Sequence, residues 1–111
     1  MFNPLEFYKA LANETRLKSL LLMWHFKQLC VCDLVSALEL SQPKISRHLS
    51  ALRQTAMVST EKRGKWVYYQ LHPDMPGWAL EVLRLTLQHN PSYLQANLAR
   101  LHLTTYGQSC C

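Results

Sequence analysis

Apolar side chains recur at helical spacing along most of this chain, and the pattern changes to strand-like alternation in one place only. Leu5, Tyr8 and Leu11 follow Asn3-Pro4, an amide side chain suited to capping a helix and a proline suited to its first position, so a short helix is expected up to Asn13. Residues 14–26 predict a second helix, expected in the core, with Leu17, Leu20, Leu21 and Trp24 on one stripe and no internal Gly or Pro. A brief third helix is expected over 33–39. Ser41 then caps a fourth that opens with Gln42 and Pro43 and runs to about Thr55, with Ile45, Leu49 and Leu52 pointing inward. From Val58 the residues favour a β-hairpin, Val58-Ser59-Thr60 and Trp66 to Leu71, around a polar turn Lys62-Arg63-Gly64-Lys65. Gly64 accepts a positive φ there without steric cost, and Val67, Tyr69 and Leu71 are expected to face inward. Pro73 and Pro76 mark a linker. The helix expected over 78–88 is apolar on more than one side, and a monomer this small cannot bury both. After Asn90-Pro91, Leu94, Leu98 and Leu101 stripe a last helix that ends before Gly107.

A chain of 111 residues, about half hydrophobic, holds one compact core. The expected organisation is a single mainly α domain over 1–106, carrying a β-hairpin, and a flexible tail over 107–111 with two adjacent cysteines. Lys and Arg outnumber Asp and Glu by 12 to 7, and the formal charge of +5 favours a polyanionic partner, with nucleic acid the first candidate. No apolar run is long enough to span a membrane, and Glu6 and Lys9 interrupt any signal-peptide core, so a cytoplasmic protein is expected. Thiols are kept reduced in that compartment. Cys30, Cys32, Cys110 and Cys111 therefore read as metal-binding, redox-sensing or inert before they read as structural disulfides.

Residues 34–53 have the arrangement of a helix-turn-helix, a short apolar helix, a turn near 39–41 and a second helix with a polar face. That face carries Gln42, Lys44, Ser46, Arg47, Ser50 and Arg53, amide, hydroxyl and cationic groups able to reach base edges and phosphates. His48 lies on the same helix and either contacts phosphate or packs. The hairpin tip adds Arg63 and Lys65, with Lys62 beside them, where a wing would grip duplex DNA. A solvated helix face and a solvated turn are the plain alternatives for these residues.

Cys30 and Cys32 are two apart. On an ideal helix they would diverge around the axis, whereas in an extended segment they share a face, and a helix beginning near Asp33 would lower a neighbouring thiol's pKa. Soft thiolates select As(III), Sb(III), Cd(II), Cu(I) or Zn(II), and two buried small side chains are the plain alternative. No second pair at zinc-finger spacing follows, so a structural zinc site is not expected.

Taken together, Tyr8-Lys9-Ala10-Leu11-Ala12-Asn13-Glu14-Thr15-Arg16-Leu17, Leu29-Cys30-Val31-Cys32-Asp33-Leu34, Ser41-Gln42-Pro43-Lys44-Ile45-Ser46-Arg47-His48-Leu49 and Arg63-Gly64-Lys65-Trp66-Val67-Tyr68-Tyr69 resemble the ArsR family of metal- and metalloid-responsive repressors. The resemblance implies a winged helix-turn-helix that binds double-stranded operator DNA as a homodimer through its first and last helices, and no enzyme activity. It also implies that Cys-Val-Cys-Asp-Leu is the element that takes As(III) or Sb(III) as inducer. The sequence departs from the fuller element, which has a third cysteine where Val35 stands. Cys110 or Cys111, or a small exogenous thiol, is then the candidate third ligand. The cadmium and zinc sites of the family are not expected, since no cysteine precedes Cys30, and His89 and His102 lack an Asp-x-His partner. His25 and His72 read as core or edge groups. A thiol-redox repressor, a repressor responding to another soft metal, and a winged module that binds only protein are the rival readings; a thiol enzyme is a further one, disfavoured because Cys30 and Cys32 have no evident general base or oxyanion element nearby.

Overall fold

The computed structural model describes residues 2–103. Side-chain caps start three of its helices. Asn3 Oδ1 accepts the Glu6 N–H (3.1 Å) at the head of α1 (Pro4–Leu11), and Asn13 Oδ1 accepts the Arg16 N–H (3.1 Å) at the head of α2 (Glu14–Phe26). Two residues of strand, β1 (Gln28–Leu29), lead into α3 (Val31–Leu38), and Ser41 caps α4 (Gln42–Gln54) through the Lys44 N–H. The hairpin β2 (Val58–Arg63) and β3 (Trp66–Leu71) follows, then α5 (Gly77–His89) and α6 (Gln95–Leu103).

Helix α2 lies at the centre, packed against α1, α3, α4, α5, β1 and β3. Five consecutive residues, Ser19 to Met23, are buried, more than a full turn, so this helix has no solvent face along that stretch. The single expected stripe was too narrow. The Ser19 hydroxyl is reconciled to burial by donating to the Thr15 carbonyl at 2.7 Å. Ile45, Leu49 and Leu52 of α4 point into the same core, as the spacing predicts.

The three strands run in the order β1-β3-β2, all antiparallel. Arg63 pairs with Trp66, so the hairpin loop is only Gly64-Lys65, with Gly64 at φ +61°, and the strand takes up residues expected in the turn. Val67 is exposed rather than inward: it pairs with Lys62 near the tip, beyond the reach of the core, whereas Tyr69 and Leu71 farther down are half-buried. The short β1 strand, absent from the sequence expectation, pairs Gln28 with Gln70 and Leu29 with Tyr69.

Two features hold the reading elements in place. Buried Asn97 and half-buried Arg100 of α6 both donate to the Ala37 carbonyl (2.8 Å each), and Arg100 also pairs with Glu39 at 3.1 Å. They satisfy a carbonyl that the end of α3 leaves over and tie the turn between α3 and α4 to α6. At the far end of α4, Met57 N–H bonds the Leu52 carbonyl (2.9 Å) and Ala56 N–H the Arg53 carbonyl (3.1 Å), a Schellman closure that places Ala56 at φ +59°. Helices α3 and α4 with the hairpin beside them form a winged helix-turn-helix, mainly helical with a small antiparallel sheet.

Alanine at a left-handed position is strained where glycine is not. Ala56→Gly is expected to stabilise the protein by about 0.5–1 kcal/mol, seen as a rise of a few degrees in Tm by calorimetry.

Candidate nucleic-acid interface and thiol pair

On α4 the buried stripe leaves Gln42, Lys44, Ser46, Arg47, Ser50 and Arg53 exposed, so the six expected reading residues all reach solvent. His48 differs. It is half-buried at the flank of the stripe, and its proton affinity is lowered first by that burial, then by the charges of Arg16, Arg47 and Lys44. The ring is thus neutral over a wider pH range than an ordinary histidine.

The wing carries both expected cations, but in different states. Lys65 is exposed and lies over the Trp66 ring (5.2 Å from its centroid). Arg63 sits over Tyr68 (5.1 Å) and is held at Nε by Glu61 (2.9 Å) and at Nη2 by Gln28 (2.5 Å). Gln28 in turn donates to Glu61 (2.9 Å) and Gln70 (2.6 Å), and Gln70 to Ser59 (3.2 Å). This polar lattice crosses all three strands. Arg63, chiefly, and Gln28 hold the Glu61 carboxyl below the usual carboxylate range by hydrogen bonding. Neither Gln28 nor Glu61 was expected at the site, because a two-residue strand carries no readable period and the sequence does not show which side chains meet across a sheet.

Gln28 stands two residues before Cys30, which is buried and extended (φ −92°, ψ 170°) as the residue that starts α3. The helix begins at Val31, earlier than the expected Asp33. The two cysteines therefore straddle its start, with Cys30 outside the helix and half-buried Cys32 in the first turn, and do not share one face of an extended segment. The early start has a local cause: Asp33 Oδ2 accepts the Cys30 N–H at 3.1 Å, and the same oxygen lies 3.3 Å from Cys30 Sγ. Both Cys30 and Cys32 are disulfide-bonded in the structure, so each sulfur lies within bonding reach of another. Val35 occupies the third slot, half-buried, and among the described residues no three His, Cys, Asp or Glu side chains group around a common point. Cys110 and Cys111 lie outside the described residues. His25 is exposed, and His72 Nδ1 accepts the Asp74 N–H at 3.0 Å, which fits an edge group rather than a ligand.

The wing lattice predicts an asymmetry in DNA affinity. Glu61→Gln removes a negative charge and loosens Arg63, so duplex binding should tighten on all sequences alike; Lys65→Ala should weaken it alike and flatten the slope of log affinity against log salt by about 0.9. Anisotropy titrations on two unrelated duplexes check both.

Comparison with known proteins agrees with this geometry. Residues 13–60 match the family model described as bacterial regulatory protein, arsR family. The chain is 46% identical over 91% of its length to the arsenic resistance transcriptional regulator ArsR2 of Pseudomonas putida, covering 88% of that protein. It is 42% identical over 97% of its length to the arsenical resistance operon repressor of Escherichia coli, covering 95% of it. Among solved structures, the AntR antimony-specific transcriptional repressor superposes with a TM-score of 0.64 at 27% identity, over 80% of this chain and 78% of that one. With a winged helix-turn-helix, a basic reading helix and relatives matched nearly end to end, the chain belongs to the ArsR family of DNA-binding transcriptional regulators and is not an enzyme.

Proposed function

We propose that this protein is a homodimeric repressor of arsenical-resistance genes, which occupies its operator in the ligand-free state and releases it when trivalent arsenic or antimony is taken up by Cys30 and Cys32. The observation that carries this reading is the position of the pair at the start of α3, the helix that leads through a three-residue turn into α4. The names of the two relatives and of the antimony-specific structure support the ligand class.

The donor set suits a thiophilic centre. Cys30 and Cys32 supply two soft sulfurs once reduced, and Asp33 Oδ2 lies 3.3 Å from the Cys30 sulfur. A third donor comes from outside the described residues, with Cys110, Cys111 or a small thiol as the sources. In this reading, binding of both sulfurs to one centre pulls on the residue that caps α3, Cys30, and strains its contact with Asp33. The first turn of α3 takes up the strain, while Asn97 and Arg100 hold the other end. The reading helix follows directly behind, so ligand and DNA would oppose each other with a coupling of about 1–3 kcal/mol, roughly 5- to 150-fold in affinity. The disulfide-linked state of both cysteines also favours a second reading, release by thiol oxidation.

The dimer has its own support. Trp78 is 43% exposed and Leu85 41% exposed on α5, Leu5 and Tyr8 are more open still on α1, and the rings of Phe2, Phe7 and Tyr8 gather around Trp78. This apolar surface joins α1, the first of the helices expected at the contact between subunits, to α5, the helix expected to be apolar on more than one side.

Reduced protein on DNA from upstream of its own gene, titrated separately with arsenite, antimonite, cadmium, zinc and peroxide, tests the release. Arsenite and antimonite are expected to free the DNA, and Cys30→Ser and Cys32→Ser to bind it but no longer let go; loss of DNA binding by those variants without ligand would refute the assignment, and release by peroxide alone would move it to the redox reading. Deleting residues 107–111 should weaken arsenite binding if the tail supplies the third sulfur and leave it unchanged if it does not. Leu5→Glu is expected to shift the protein to a monomer in sedimentation equilibrium.

A further inference from the structure

Arg16 lies outside every element assigned to DNA reading, yet other positive charges gather near it. It stands in the first turn of α2 with its backbone N–H closed onto Asn13, so the side chain leaves from the start of the helix. Its Nε–H is buried from solvent and has no hydrogen-bond partner among the described residues. Such a donor is costly to leave unmade, and more so in a charged group. Across the contact between α2 and α4 it acts on His48, as do Lys44 and Arg47 from α4 itself, and all three of these charges are positive. Two elements thus bring four basic groups to one flank of the reading helix. His48 lies beside the buried stripe of α4, at the edge of the outward face that carries Arg47 and Ser50. A group on that flank faces the rim of a groove occupied by α4 rather than the base edges at its floor. The Nε end of Arg16 is closed off, but its Nη donors are not, and these form the fork that a guanidinium offers to phosphodiester oxygens.

We propose that Arg16 of α2, with His48 and Lys44 of α4, holds one phosphate of duplex DNA at the flank of the reading helix, a contact that positions α4 without reading sequence. The seat rests on the DNA binding of the family and not on metalloid release; it is tested on reduced, metalloid-free protein, so either claim can fail without the other.

Arg16→Gln should weaken binding by the same factor on the upstream DNA and on an unrelated duplex, and flatten the salt slope by about 0.9; Arg16→Lys, which keeps the charge and loses the fork, should keep the slope and lose part of the affinity. Wild-type affinity and slope in Arg16→Gln would overturn the proposal. Because that variant can also fail to fold, NMR of the unaltered protein supplies a second readout. Adding duplex should shift the Arg16 Nε–H signal and slow its exchange with solvent, and should raise the His48 pKa, since an adjacent phosphate favours the imidazolium that Arg16, Lys44 and Arg47 otherwise oppose. Binding should accordingly strengthen as pH falls below the ordinary histidine range, and His48→Gln should abolish that rise. Signals of Arg16 and His48 left unmoved by duplex, or moved as far by millimolar inorganic phosphate alone, would overturn it.

Discussion

The burial of α2 on all sides is the constraint from which the architecture follows. A helix with five consecutive buried residues needs neighbours around its whole circumference, and in a chain of this size nearly every other element is recruited to supply them. The reading helix gives three apolar side chains to this shared core and keeps its polar face outside. Its orientation is therefore fixed by the same contacts that stabilise the domain. A charged or polar change within 19–23 would disturb the core and the DNA-binding face together.

Helix α3, only eight residues long, sits between the cysteine pair and α4. Its start is made by Cys30 and Asp33, and its end is held by Asn97 and Arg100 of α6. An element so short has little room to absorb a change at one end before the other is affected. In the proposed release, the clamp at Ala37 and Glu39 would turn a disturbance at the cysteines into movement of α3 and α4 against α6.

The wing is joined to the same place by another route. Gln28 bonds Glu61, Gln70 and Arg63 across the sheet and is separated from Cys30 by Leu29 alone. Arg63 is thus a cation held in a lattice, partly offset by Glu61, whereas Lys65 at the loop is tied to no carboxylate in this network. The two differ in what a nearby phosphate would gain from them, since Arg63 already spends hydrogen bonds inside the protein.

Sequence by itself determined the helices, the hairpin, the inward stripe of α4, the exposed basic face and the family, because each depends on periodicity, capping residues or a contiguous motif, all of which are local. The structure rather than the sequence pattern decided where α3 begins, through a local contact in which the Asp33 side chain turns back three residues to the Cys30 N–H. It decided that α2 is buried all round and that Val67, out near the hairpin tip, is not. It also joined Gln28 to Arg63 and brought Arg16 near enough to His48 to act on its charge, pairs 35 and 32 positions apart that are associated only because β1 joins the sheet edge and α2 packs on α4. A residue's type fixes the chemistry it can offer, but which partner receives it depends on packing between elements distant in the chain, and local pattern carries no record of that.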